Sequence, residues 1–106
     1  MAARLDFHPE ALREYSEAAL YYLEEASPEV AARFVFSIEA AISAMLAAPE
    51  RHRIVAVPEI RRCVITRFPF LIYYRWEPET GRLAIYSVMH SSREPGYWQR
   101  RVDQRK

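Results

Sequence analysis

His90, Arg93, Tyr97 and Trp98 fall within nine residues, in the stretch HSSREPGYW. An imidazole and a phenol can move protons, a guanidinium can neutralise a phosphate, and an indole can stack on a base. A metal-free cleavage of RNA needs such groups: an acceptor for the 2′-hydroxyl proton, cations for the phosphate and a donor for the leaving oxygen. His90 and Tyr97 would supply the proton transfers and Arg93 the charge. Arg61, Arg62, Arg67, Arg75, Arg100 and Arg101 surround them in the sequence. With Trp98, these arginines are candidates for holding a target or a protein partner. An Arg–phosphate bond contributes about 1.5–3 kcal/mol, and stacking on an aromatic ring about 1–3 kcal/mol per base. The same residues also admit a purely architectural reading. In it His90 ends a strand, Tyr97 and Trp98 pack as a lid over the sheet edge, and Arg93 pairs with an acid.

Other chemistries find no footing. No Cys pair or HExxH pattern suggests zinc, and the three histidines are scattered. Two glycines in 106 residues cannot build a phosphate-cradling loop. Cys63 is the single cysteine, so an internal disulfide is excluded, and its mid-strand position suits an inert buried thiol. No cofactor or metal is expected. No apolar run approaches the roughly 20 residues of a membrane span, and the first residues, MAARLDFHPE, lack a signal-type apolar core. A soluble protein of the reducing cytoplasm is expected.

The formal charge of +1 conceals a division. Residues 1–50 carry three Arg against nine acids, giving −6, whereas residues 51–106 carry eleven Arg and one Lys against five acids, giving +7. Such asymmetry hints at charged partners, or at acidic helices packed against a basic sheet.

The elements that position these residues follow from punctuation and periodicity. Residues 3–7 alternate as a short strand. Pro9 with Glu10 suits a helix start, because proline there forfeits no hydrogen bond and an acid meets the positive end of the dipole. Leu12, Tyr15, Ala19 and Tyr22 then form one stripe of a helix running to about residue 25. Ser27-Pro28-Glu29 repeats the signal with a better N-cap. Val30, Phe34, Ile38, Ile42 and Met45 or Leu46 mark a second stripe, ending near Ala48-Pro49. Their aromatic residues are expected to pack between helices and sheet. Residues 54–57 suggest a short strand, and residues 60–67 another, with Arg61 and Arg67 on one face and Arg62 on the other. Residues 70–76 read as a central strand with Pro69 at its start, residues 77–81 as a turn and residues 83–89 as the last long strand. The expected fold is therefore α+β, one domain over residues 1–106. An N-terminal antiparallel helical hairpin packs on one face of a small, twisted, mainly antiparallel sheet, and the other face is left for a partner.

Over nearly its whole length the chain resembles the RelE/ParE superfamily of bacterial type II toxin–antitoxin toxins, often labelled plasmid stabilization proteins. The resemblance is carried by FHPEALREYSEAALYY and AARFVFSIEAAISAM in the hairpin, by IRRCVITRFPFLIYYR, and by IYSVMHSSREPGYWQRR. It implies a small α/β sandwich and neutralisation by a cognate antitoxin within a toxin–antitoxin hetero-oligomer. The mRNA-cleaving branch has an Arg in the strand that corresponds to FPFLIYY, where this chain has Leu71, and lysines before it, where this chain has only Lys106 at its end. Arg93 and Tyr97 fall near that branch's C-terminal Arg and Tyr. The RR and YY strands are more similar to the ParE-like branch, whose characterised members poison DNA gyrase. The resemblance thus implies a toxin that arrests growth by binding a target, with gyrase expected. The alternatives are a ribosome-dependent mRNA endonuclease using Arg93, His90 and Tyr97, and a degenerate, non-toxic member that only binds its antitoxin.

Overall fold

Two prolines set where the helices begin. In the computed structural model, which describes residues 3–93 and 101–102, β1 (Arg4–Phe7) leads directly into α1 (Pro9–Glu25). His8 caps that helix, its Nδ1 accepting from the Glu10 backbone N–H at 3.0 Å. Ser27 caps α2 (Pro28–Ala47), its Oγ accepting from the Val30 N–H at 3.1 Å. Both caps satisfy N–H groups that the first turn of a helix leaves without carbonyl partners. Four strands follow: β2 (Ile54–Ala56), β3 (Ile60–Val64), β4 (Phe70–Glu77) and β5 (Arg82–His90).

The strands make one sheet in the order β1-β5-β4-β3-β2, antiparallel except where β1 joins β5 in parallel. The turn between β4 and β5 closes on Gly81, whose φ of 67° is a conformation that glycine adopts without steric cost. Along β4 and β5 the register steps from Tyr73↔Ser87 to Tyr74↔Ile85, a bulge that leaves Tyr86 without a partner residue.

The helical hairpin covers one face of this sheet. Phe34, Ile38, Ile42 and Met45 of α2 meet Phe70, Ile72, Tyr74, Leu83, Ile85 and Val88 in one cluster. Tyr22, Phe34, Phe68 and Phe70 form its aromatic centre, with ring centroids 5.0–6.4 Å apart. Such pairs contribute about 0.5–1.5 kcal/mol each beyond their buried area. A smaller cluster of Ile60, Tyr73, Ala84, Tyr86 and Met89 lies on the other face, with Leu71 and Val102 packed against it. That face, expected to be left for a partner, is thus already met by Val102 from near the C-terminus.

Three local expectations are corrected. Leu12 is half exposed, and Ala11 is the fully buried residue of that turn, so the buried stripe of α1 is rotated by one position there. β3 ends at Val64 and residues 66–69 bend, so Arg67 lies in a loop at φ 78° and not on the Arg61 face of a strand. By length and mean hydropathy α2 is apolar enough to cross a bilayer. Its inner stripe completes the core, and much of its remaining apolar surface is exposed.

Candidate functional site

Strand alternation divides the sequence-predicted arginines. Arg62 lies opposite Tyr73, and Arg75 opposite Ala84; Tyr73 and Ala84 belong to the face away from the helices. Arg62 and Arg75 therefore share the face that the helical hairpin leaves open, and both are half-buried there beside the buried Tyr73, Ala84, Tyr86 and Met89. Leu71 lies there too, between Val64 on β3 and Met89 on β5. The Arg75 guanidinium is 3.7 Å from Glu77, which also accepts from Arg82 at 3.0 Å, and Arg82 reaches Asp6 at 3.0 Å. This chain of charges ties β1, β4 and β5 together at the hairpin end.

Arg61 points to the helix side of β3 and donates to the carbonyls of Glu50 and His52 at 2.9 and 2.7 Å. It fixes the loop that leaves α2. In the same loop the Tyr74 hydroxyl donates to the Pro49 carbonyl at 2.9 Å and lies 3.1 Å from Nδ1 of His52. The hydroxyl has one proton, so His52 must donate from Nδ1, which leaves Nε2 as its bare nitrogen. Burial, helped by Arg51 and Arg61, holds the His52 pKa below its ordinary value and favours this neutral ring.

Arg101 is 7 % exposed and engaged from two sides. Its Nη1 and Nη2 donate to Glu14 at 2.8 Å each, and Nη1 also donates to the Tyr86 carbonyl at 3.1 Å. Glu14 in turn accepts from the Ser87 hydroxyl at 3.2 Å and from the Val88 N–H at 3.1 Å. The pair therefore satisfies backbone groups released by the β5 bulge and joins the C-terminal segment to α1. Arg101, expected to hold a target or an antitoxin, has a guanidinium that is buried and occupied by Glu14. Glu14 was missed, although its position three residues after Ala11 and four before Ala18 puts an acid on the buried stripe.

His90 ends β5 and stacks edge-on against Phe70, with centroids 5.4 Å apart. Its Nδ1 accepts from the Ser92 N–H at 3.1 Å and lies 2.8 Å from the Ser92 hydroxyl. In the neutral ring the proton then sits on Nε2, so the outward nitrogen is a donor and not the base that a 2′-hydroxyl would need. His90 and Arg93 line a shallow groove of about 330 Å³ with Glu14, Glu17 and Tyr21. Tyr97, Trp98 and Arg100 lie outside the described residues. Burial pushes the Cys63 thiol up, as expected for an inert side chain in the core.

The sites predicted as one group are thus spread over three surfaces. Arg62 and Arg75 are on the open face, His90 and Arg93 at the end of β5, and Arg67 beside α2. Residues 5–95 match the family described as ParE toxin of type II toxin-antitoxin system, parDE. The chain belongs to the ParE toxin family. Solved structures agree with this placement in fold. A chain of the chromosomal ParDE toxin–antitoxin system of P. aeruginosa superimposes with a TM-score of 0.71 at 19% identity, covering 83% of this chain and 95% of that one. An arginine-substituted mutant of the E. coli toxin RelE in the free state gives 0.66 at 17% identity, over 99% and 98% of the two chains. The isolated E. coli RelE toxin gives 0.61 at 18%, over 99% and 100%. No curated protein sequence matches this chain significantly. The two helices on a five-stranded, mostly antiparallel sheet are the arrangement expected of this ParE-family toxin.

Proposed function

We propose that this ParE-family toxin arrests growth by binding a macromolecular target, DNA gyrase, through the open face that presents Arg62 and Arg75. The observation that carries the reading is Leu71. It stands on that face between Val64 and Met89, so an apolar side chain occupies the strand where the mRNA-cleaving branch has a cation. The donor state of the outward His90 nitrogen supports the same reading, because this imidazole does not offer the proton acceptor that cleavage would ask of it. Inhibition by binding needs neither.

Expression without an antitoxin is expected to stop colony formation, and the purified chain to inhibit supercoiling by gyrase. Normal growth would overturn the toxin reading, and normal supercoiling the gyrase target. Mapping mRNA ends after induction separates the endonuclease alternative: cuts within translated codons would replace our reading. Loss of toxicity in Arg62→Glu and Arg75→Glu variants would argue against a merely antitoxin-binding member.

The antitoxin, in this reading, covers the outer groove of the helical hairpin. Ala19, Leu20, Leu23, Val35 and Phe36 line an open trough of about 580 Å³ there, and Leu20 and Phe36 are 50% and 73% exposed. Apolar surface of that kind is an aggregation hazard in a free chain. Co-expression with the antitoxin is expected to raise the soluble yield; a stable, soluble lone monomer would count against the assignment. The proposed place of action is the cytoplasm.

A further inference from the structure

A second groove, of about 840 Å³, runs along the other side of α2, between that helix and the C-terminal end of β3 with residues 65–68. Three elements each send an arginine to it: Arg33 from α2, Arg51 from the loop after α2, and Arg67 from the loop after β3. None of the three forms an ion pair among the described residues, and no carboxylate lines the groove. A cleft lined by charges of one sign focuses their field and draws in counter-ions, and the planar guanidinium is suited to phosphate. Phe36, which lines both this groove and the trough given above to the antitoxin, is 73% exposed, a flat ring available for stacking in the chain without its antitoxin. The floor is made from small side chains of α2, Ser37, Ala40, Ala41 and Ala44, so a planar group can approach the helix closely.

His52 also lines this groove, and it adds a requirement. Its Nδ1 proton is committed to the Tyr74 hydroxyl, so its bare nitrogen Nε2 accepts hydrogen bonds. The matching ligand therefore carries anions, flat rings and hydrogen-bond donors together. We infer that this groove binds single-stranded nucleic acid, with Arg33, Arg51 and Arg67 on phosphates, Phe36 stacking on a base and His52 accepting from a base amine or a sugar hydroxyl. An acidic peptide also satisfies the arginines, and its backbone N–H could serve His52, but an acidic side chain offers no flat ring to Phe36, whereas every nucleotide brings its anion and its ring together. The groove is concave, and concave basic surfaces with exposed rings suit single strands better than duplexes.

The backbone adds an independent observation. Arg67 holds φ at 78°, a region that disfavours any side chain with a Cβ and that glycine enters freely. An arginine there places a guanidinium beside the groove at the expense of local backbone strain.

The test is fluorescence anisotropy with the full-length chain and a labelled single strand of roughly 12 nucleotides, a length within the span of such grooves. The same strand annealed to its complement and a peptide of alternating Glu and Val serve as competing probes. Single-strand binding is expected, with log K falling against log salt at a slope of about −2, the value for three neutralised phosphates. Arg33→Gln with Arg67→Gln should weaken binding more than about tenfold and reduce that slope to about −0.7. Phe36→Ala should weaken it about fivefold or more, whereas Arg62→Gln on the open face should leave it unchanged. Arg67→Gly keeps the control on folding: it should melt no lower than the wild type and still bind less tightly. Failure to bind the strand, equal binding of the duplex, preference for the acidic peptide, or indifference to the groove substitutions would each overturn the inference. None of these outcomes bears on gyrase inhibition, which is measured separately.

Discussion

Glu14 and Arg101 stand 87 positions apart, and their meeting decides how the C-terminal segment is held. Their side chains are 12% and 8% exposed, so removing either leaves the other as a buried charge. The expected cost of Glu14→Ala or Arg101→Ala is about 3–5 kcal/mol, read as a fall in the urea midpoint. The double variant Glu14→Leu/Arg101→Met should recover part of that loss. Full recovery is not expected, because the Tyr86 carbonyl and Val88 N–H at the bulge would lose partners worth about 1–3 kcal/mol each. Single-variant losses under about 1 kcal/mol would mean that solvent already screens the pair. His52 supports a second prediction at this scale. Burial, Arg51 and Arg61 hold its folded pKa below the ordinary 6.5, so the unfolded chain takes up the proton first as pH falls. The stability tied to the neutral ring is then complete above about 6.5 and is lost as pH falls through the lower folded value. The urea midpoint of the wild type should therefore drop between neutral pH and the carboxylate range. His52→Gln should flatten that slope; an equally steep variant would show that another group titrates there.

At the scale of elements, the loop between β3 and β4 gives the sharpest expectation. Arg67→Gly removes the side-chain conflict at φ 78° at the cost of a more flexible unfolded chain, for a net gain of up to about 1 kcal/mol. A modest rise in Tm would confirm it, and a fall would show that the Arg67 side chain makes stabilising contacts that outweigh the strain. The same loop shows where the sequence stops being informative. Both helices and the β4–β5 hairpin were legible, because Pro9, Ser27-Pro28 and Gly81 announce local conformations that local sequence decides. Residues 65–69 continue the apolar alternation of β3, yet the strand ends at Val64. There Phe68 turns back to meet Tyr22 and Phe34, a choice made by helices distant in the sequence. Leu12 was misplaced for a related reason: Ala11 wins the buried position since its small side chain lets α1 sit close to the sheet. The candidate site was legible in residue type and not in grouping. Composition marks the arginines as notable, but which face each occupies depends on where strands end. Arg33, Arg51 and His52, drawn together from one helix and one loop, carried no motif to reveal them.

For the whole molecule, the two surfaces given above to the antitoxin and to the target lie on different elements. The helical hairpin presents an outer trough of exposed apolar residues, while the open sheet face presents Arg62 and Arg75. If the first receives the antitoxin and the second the target, the two activities should separate by mutation. Leu20→Glu places a charge in the trough, far in character from the apolar surface that a partner helix would bury. It should abolish neutralisation while leaving toxicity intact, since Leu20 is exposed and contributes little to the core. Arg62→Glu with Arg75→Glu should do the reverse, abolishing toxicity while the antitoxin still co-purifies. A loss of at least tenfold in each affected interaction is expected, because a reversed or buried unpaired charge at a contact costs about 2–5 kcal/mol. Neutralisation is then steric or allosteric rather than direct, since the antitoxin need not touch the arginines. Loss of both activities in either set would instead mean that toxin target and antitoxin compete for one face.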